Sequence, residues 1–432
     1  VKEELKAGKG LGKAIHDGYS NAYSAIIDGQ VTTLLTGLVL FFFGSGPIKG
    51  FATTLIIGII TSVLTSIFIT RIIFDDRVSR GKNITFETDL TKNFLKNTKI
   101  DFISGRKWSY LVSGALILIS LGSIFIKGFT YGVDFTGGRT YVVRFDKPVT
   151  AEDVREATGK VFDLASSEQG LAGTSVEVKQ FGGDSQMKIT TSYKYQDEAA
   201  TVDNEIEGML YESLKGFYDD GLTFDEFVST LDNPNGIISS DKVGASIAND
   251  IKRNAVISII LALLVIFAYI AFRFKGWTWG LGGVVSLAHT SIIIIGFFSL
   301  FSGILPFNLD VDQTFIAAIL TIIGYAINDN VVIFDRIREN LSLHVKDDFK
   351  ETVNKSLNAT LTRTVNTSVS TLLPMLAIAI FGGESIRGLS VALCLGICIG
   401  TYASIMIGTP IMFDATMSRR KKLAAKEATN KK

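Results

Sequence analysis

The chain is poor in the residues that build redox and metal centres. Only 2 cysteines and 3 histidines occur among 432 residues. Cys394 and Cys398 stand four apart in an apolar run. Residues so spaced share a helix face but cannot close a disulfide, and two soft ligands make a poor metal site. They read as packing residues, silent on redox compartment, and no metal is expected. Net charge is lacking too. The 43 Lys and Arg oppose 42 Asp and Glu, so bulk electrostatics calls for no nucleic acid. No signal peptide is visible, and Val1 is not an initiating Met.

What the chain has is apolar residues, 47% of the total, clustered in runs rather than evenly spread. That pattern marks a polytopic membrane protein. Eight runs have the length to cross a hydrocarbon core: about 26–44, 51–73, 109–128, 255–273, 277–301, 314–334, 362–381 and 388–412. Basic residues cluster at 74–108, at 335–361 and in the tail, whereas the 302–313 loop has two acids and no Lys or Arg. By the positive-inside rule, both termini and those basic segments face the cytoplasm, and 129–250 lies outside.

Asp329 breaks the apolar run TFIAAILTIIGYAINDNVVIF (314–334), flanked by Asn328 and Asn330. A charge near the bilayer centre costs at least about 2.5–3.5 kcal/mol on insertion scales, so it is seldom kept without a use. Two readings stand: a hydrogen-bonded structural carboxylate, or an ion or proton relay.

The 129–250 segment has the composition of a small soluble domain. Its order is strand (141–145), helix, strand, strand, helix and strand (236–243), a β-α-β-β-α-β pattern that predicts a ferredoxin-like α+β fold. It has no histidine, cysteine cluster or nucleophile pattern, so it reads as a binding or moving domain. Its leading GVDFTGG (132–138) contains Gly132, Asp134, Phe135, Gly137 and Gly138. The stretch lacks the Lys-Ser/Thr of a phosphate loop, and its glycines predict a tight turn where the domain joins its helix.

Two distant segments repeat at an offset of 338. FGSGPIKGFATTLIIGI (43–59) matches FGGESIRGLSVALCLGI (381–397), and DGQVTT (28–33) lies opposite NTSVST (366–371). VKEEL (1–5) also resembles IRENL (337–341), just past the Asp329 run. Repeats of this kind are a common build for secondary transporters, with the coupling-ion site between the halves. The first half lacks its own counterpart of the Asp329 helix, so a longer native product with a second such helix and another outer domain is expected.

GVDFTGG, VGASIANDIKRNAV (243–256), RFKGWTWGLGGVVSLAH (273–289) and GYAINDNVVIFDRIREN (324–340) resemble the signature stretches of SecF, and the first 75 residues resemble the end of SecD. The chain thus resembles the C-terminal part of a fused SecD–SecF protein over nearly its whole length. The resemblance implies a fold of the resistance-nodulation-division superfamily. It divides the chain into a SecD-like part (1–75), a cytoplasmic linker (76–108), a first SecF-like span (109–128), the outer domain (129–250), a five-span bundle (251–417) and a basic tail (418–432). It also implies a multi-pass protein of the bacterial inner membrane that uses a proton or sodium gradient to help unfolded polypeptides leave the translocon. The partners so implied are the SecYEG channel, SecA, YajC, YidC and membrane lipid, with no cofactor beyond the coupling ion. A small-molecule or lipid exporter of the same superfamily is the alternative.

On the resemblance, Asp329 matches the family's ion-conducting aspartate and Arg363 the basic residue of the following helix. Two departures are visible: Thr290 follows His289 where Asp is frequent, and Ala326 and Asn330 stand where Ser and Thr are common. Arg363 could pair with Asp329 at similar depth or snorkel to the interface. Asn366, three residues on from Arg363 and on the same face, could complete a polar pocket, and Asn328 beside Asp329 is a further relay candidate. Asp28, the repeat partner of Asn366, is a candidate for a second intramembrane carboxylate, and His289 is either a proton relay or an interior histidine. Asp335, Arg336, Arg338 and Glu339 read as an interfacial cap.

Overall fold

The computed structural model describes residues 1–44, 47–82, 84–85, 95, 98–169, 176–181, 185–197, 199–219, 221–229, 235–305, 309–382 and 384–430. Parts of the 76–108 linker and of the outer-domain segment 129–250 lie outside them. Among the described residues eight helices are long and apolar enough to span a membrane. In chain order they are α1 (Leu11–Phe43), α2 (Ile48–Ser79), α3 (Phe102–Ile126), α6 (Ala245–Arg273), α7 (Trp277–Phe301), α8 (Gln313–Leu343), α9 (Phe349–Phe381) and α10 (Ile386–Thr429), with α4 (Ala151–Glu168) and α5 (Ala200–Leu214) in the extramembrane domain. The chain is a polytopic helical membrane protein.

Most spans outrun the hydropathy-based expectation. The helix containing 26–44 begins at Leu11, and the one containing 362–381 begins at Phe349. Hydropathy registers only the lipid-facing part, whereas helical hydrogen bonding continues into polar flanks capped by residues such as Asp348, whose carboxylate accepts the Lys350 N–H. Arg363 therefore lies well inside α9 rather than opening it, and Asp329 lies mid-helix rather than near an end.

The repeat is kept in the helix bounds. Both α1 and α9 have 33 residues, and the offset of 338 holds at both ends, from 11 to 349 and from 43 to 381. Each following helix contains one π-helical turn, Thr65–Ile69 in α2 and Ser404–Gly408 in α10. A threonine ends each turn in the same way: Thr70 Oγ1 donates to the Thr65 carbonyl at 2.8 Å and Thr409 Oγ1 to the Ser404 carbonyl at 2.9 Å. Single π turns inside α-helices often accompany functional sites.

Helix α8 is the axis of the bundle, with 78% of its most apolar stretch buried. It lies against α1, α9 and α10, and α7 and α6 complete its surround. Close approach to α1 depends on Gly324, where a Cβ would lie 2.3 Å from Thr36 Oγ1.

The domain between α3 and α6 has four antiparallel strands, β1 (Gly138–Arg144), β2 (Val176–Gln180), β3 (Gln186–Thr191) and β4 (Gly236–Val243), in the order β2-β3-β1-β4. With α4 after β1 and α5 after β3, this is the ferredoxin-like arrangement that the sequence pattern predicts. One core of Tyr141, Val143, Phe162, Ile189, Ile206 and Leu210 joins sheet to helices. Arg139, 2% exposed, pairs with Asp203 and donates to the Asp197 carbonyl at 2.8 Å.

Candidate functional site

Asn328, Asp329 and Asn330 are consecutive, so they project about 100° apart around α8 and meet different helices. Asn328 faces α1: its Oδ1 accepts from Thr32 Oγ1 at 3.2 Å and its Nδ2 donates to Thr33 Oγ1 at 3.4 Å. Asn330, fully buried, donates to Ser286 Oγ on α7 and to Ser404 Oγ in the π turn, both at 2.9 Å. Asp329 is 7% exposed and faces α10, where Thr401 Oγ1 donates to it at 3.3 Å. Thr401 also shares a 2.6 Å hydrogen bond with Ser368 of α9. One three-residue stretch thus ties α1, α7 and α10 to α8, with α9 joined through Thr401, and among the described residues the charged member has one neutral donor.

The other expected residues do not gather round it. No ion pair or hydrogen bond joins Asp329 to Arg363, although the two charges interact electrostatically through the α8–α9 contact. The Arg363 and Asn366 side chains lie on the exposed face of α9. Asn366 thus lies apart from the hydrogen bonds of Asp329, and Asn328 is engaged with α1. The cause is helical phase: α9 turns Thr364 and Ser368 inward, so Arg363 and Asn366 point out.

Asp28 is buried, as expected of an intramembrane carboxylate, but it is already paired. Both its oxygens lie 2.8 Å from Arg273 Nε, and Tyr269 Oη donates to it at 3.0 Å. Arg273 also donates to Ser24 at 2.5 Å. His289 is 3% exposed on α7, its ring 6.1 Å from that of Tyr402. Neither ring nitrogen has a hydrogen-bond partner among the described residues. At the basic end of α8, Arg336 pairs with Glu339 and with Glu3 of the N-terminal segment, and Arg338 with Asp335.

The GVDFTGG segment is a turn joining two polypeptide straps. The Gly132 N–H donates to the Val311 carbonyl at 3.0 Å, and the Val311 N–H to the Thr130 carbonyl at 2.9 Å. Asp134 accepts from the Gln313 N–H at 3.3 Å, and Phe135 is buried against Tyr131. Gly137 and Gly138 both have positive φ, and a Cβ on Gly138 would lie 2.3 Å from the Thr191 carbonyl oxygen. The glycines do permit the expected turn, and they also bring the segment against the start of α8.

Sequence reading missed Thr401, Ser404, Ser286, Arg273 and Tyr269. Arg273 was visible only as the end of a span. The hydroxyl residues stand in otherwise apolar runs, and the repeated Thr70 and Thr409 were the available pointer to the π turns.

These features describe a repeat-built polytopic membrane protein with a carboxylate at depth between its helices, the architecture of secondary transporters. The chain belongs to the SecD/SecF family of protein-export membrane proteins: the family model "Protein export membrane protein SecD/SecF, C-terminal" matches residues 1–78 and 224–418, and the "SecD/SecF GG Motif" matches 122–149. Over 332 residues it is 41% identical to the protein translocase subunit SecF of Rhodothermus marinus, covering 76% of this chain and 98% of that one. It is 33% identical to the protein translocase subunit SecDF of Thermus thermophilus over 430 residues, covering 99% of this chain and 53% of the relative. The crystal structure of a translocon-associated SecDF from Thermus thermophilus superposes with a TM-score of 0.75 at 31% identity, over 96% of this chain and 51% of that one. The chain spans about half the length of the SecDF relatives it matches.

Proposed function

We propose that the chain is part of an accessory subunit of the Sec protein translocase, which uses a proton or sodium gradient to draw exported polypeptides out of the translocon. In this reading it acts in the bacterial inner membrane with both termini cytoplasmic. The SecYEG channel and SecA are its partners, with YajC and YidC beside them, and Asp329 is the ion-carrying group. One observation supports the assignment: Asp329 is enclosed midway along α8 with one hydroxyl donor and, among the described residues, no ion pair, whereas Asp28 is neutralised by Arg273. A hydroxyl can donate to a carboxylate or accept from a carboxylic acid, so Thr401 suits both states. Arg363, near enough to interact but not bonded, modulates the balance by moving, since a nearby cation favours the charged form and burial the neutral one.

The test is polypeptide export in proteoliposomes under separately imposed pH and Na⁺ gradients. The wild-type chain, in its full-length native context, is expected to respond to one of them. Asp329→Asn removes the titratable charge at constant size and is expected to abolish that response at normal abundance. Wild-type stimulation by Asp329→Asn would leave Asp329 a structural residue.

A further inference from the structure

A second charged cluster stands where the extramembrane domain meets α8, and its carboxylate is shared between the two. Lys179 projects from β2, the edge strand of the sheet, and its Nζ lies 3.2 Å from Asp312 Oδ2 and is paired with Glu177. The other oxygen of Asp312 caps α8, accepting from the Phe315 N–H at 2.7 Å and from Thr314 Oγ1 at 2.6 Å. One oxygen is thus held by the domain and the other by the helix that contains Asp329. The three side chains are largely enclosed, with 21% of Lys179, 11% of Glu177 and 13% of Asp312 exposed. Burial alone would lower the Lys179 pKa, but Glu177 and Asp312 more than offset it and hold it above the ordinary lysine value.

The connecting strap reinforces the same junction. Its Gly132 and Thr130 are hydrogen-bonded to Val311, and Asp134 accepts from the first N–H of α8. A Cβ on Gly132 would lie 2.9 Å from that of Asp312, so only glycine lets the strap approach the cap. Lys252 at the start of α6 lies over the Tyr131 ring at 4.3 Å and pins the strap from the other side.

We infer that Lys179 and Asp312 form a clasp, braced by the Gly132 strap, that positions the Asp329 helix by the orientation of the extramembrane domain. From Asp312 to Asp329 the helix runs about 25 Å at 1.5 Å per residue. A hydrogen-bonded helix is stiff along its axis, so a tilt or slide of the domain displaces Asp329 relative to Thr401 and Arg363. In the proposed export cycle, on which this coupling role rests, movement of the domain and ion occupancy at Asp329 are then linked through these two residues.

The test separates the clasp from the helix cap. Asp312→Ser keeps an N-capping oxygen but cannot pair with Lys179, Lys179→Met removes the charge and keeps the stem, and Lys179→Arg restores a cation. Spin labels on cysteines placed at Lys160 on the domain and at Ile304 just past the end of α7, in the full chain with Cys394 and Cys398 replaced, report the spread of domain orientations without any gradient. A narrow distance distribution is expected for wild type and Lys179→Arg, and a broadened one for Lys179→Met, Asp312→Ser and their double variant, the double no broader than either single. Under a gradient the same variants are expected to pass ions while losing export stimulation. An unchanged distribution in Lys179→Met, or broadening that adds in the double variant, would overturn the clasp. A wild-type chain that ignores every gradient but shows the expected distributions would instead strike the ion-gradient reading and leave the clasp standing.

Discussion

Asp28 and Asp329 are buried to the same extent, both 7% exposed, yet their surroundings differ, and stability measurements can tell them apart. Asp28→Asn leaves the Arg273 guanidinium without its anion. Breaking a fully buried pair costs about 3–5 kcal/mol, and the partial exposure of Arg273, 25%, places this change below that range. A clear fall in unfolding temperature in detergent is expected. Asp329→Asn breaks no pair and removes a buried charge, so the unfolding temperature should hold or rise. An equal fall for both would make Asp329 a structural anion. Asp134, outside the spans, adds a pH dependence. Burial first, and then the Asp312 carboxylate, push its pKa above the usual carboxylate range against the pull of the Gln313 N–H, Lys188 and Lys179. Its folded pKa exceeds the unfolded one, so folding takes up a proton between them, and stability falls as pH rises through that window. Asp134→Asn, which can still accept from Gln313, is expected to flatten that slope in thermal melts run from pH 4 upward.

Among the elements, the α1–α8 contact and strand β1 each hinge on one glycine. Gly324→Ala places a methyl against Thr36 Oγ1, and overpacking of this kind costs about 1–3 kcal/mol. A smaller Thr36→Ser would not relieve it, because the hydroxyl is the clashing atom, whereas Thr36→Ala should recover most of the loss. Double-mutant melts measure that coupling. Gly138→Ala is harsher: its Cβ meets a backbone oxygen of β3 that cannot rotate away, and its φ of +156° is one that L side chains rarely adopt. The β1–β3 pairing is expected to open, seen as faster proteolysis within 138–243 while the membrane helices stay protected. The order of elements was legible in advance, because period-2 and period-3.6 patterns are local. Helix ends were not, since hydropathy marks where lipid begins and capping marks where the helix does.

At the scale of the whole molecule, charge asymmetry and eight spans make a prediction about sidedness. The basic segments and both termini should face one side and the 138–243 domain the other. In a cysteine-free background, an impermeant thiol reagent applied to intact cells should label a cysteine placed at exposed Lys160 and spare one at Ser79. Labelling at Ser79 before lysis would overturn the orientation. The two-fold repeat extends this to geometry. Because α1 and α9 match in length and their neighbours share a π turn, the corresponding substitutions Thr70→Val and Thr409→Val remove equivalent hydroxyl bonds. Only Thr409→Val acts beside Asn330 and Ser404, so it alone is expected to disturb export, with both variants equally abundant.

The sequence by itself determined the number of spans, the order of the extramembrane fold and the repeat, and it set the expectations of sidedness and of a use for Asp329. Each is written in one dimension, as run length, charge placement, period or offset. Only the tertiary structure decided which polar groups meet. It gave Asp28 to Arg273, distributed Asn328, Asp329 and Asn330 over three helices, set His289 beside the Tyr402 ring, and turned Arg363 and Asn366 outward. Partnership between helices depends on their mutual rotation and depth, where a shift of one residue turns a side chain by about 100°, and hydropathy along a single run does not record either quantity.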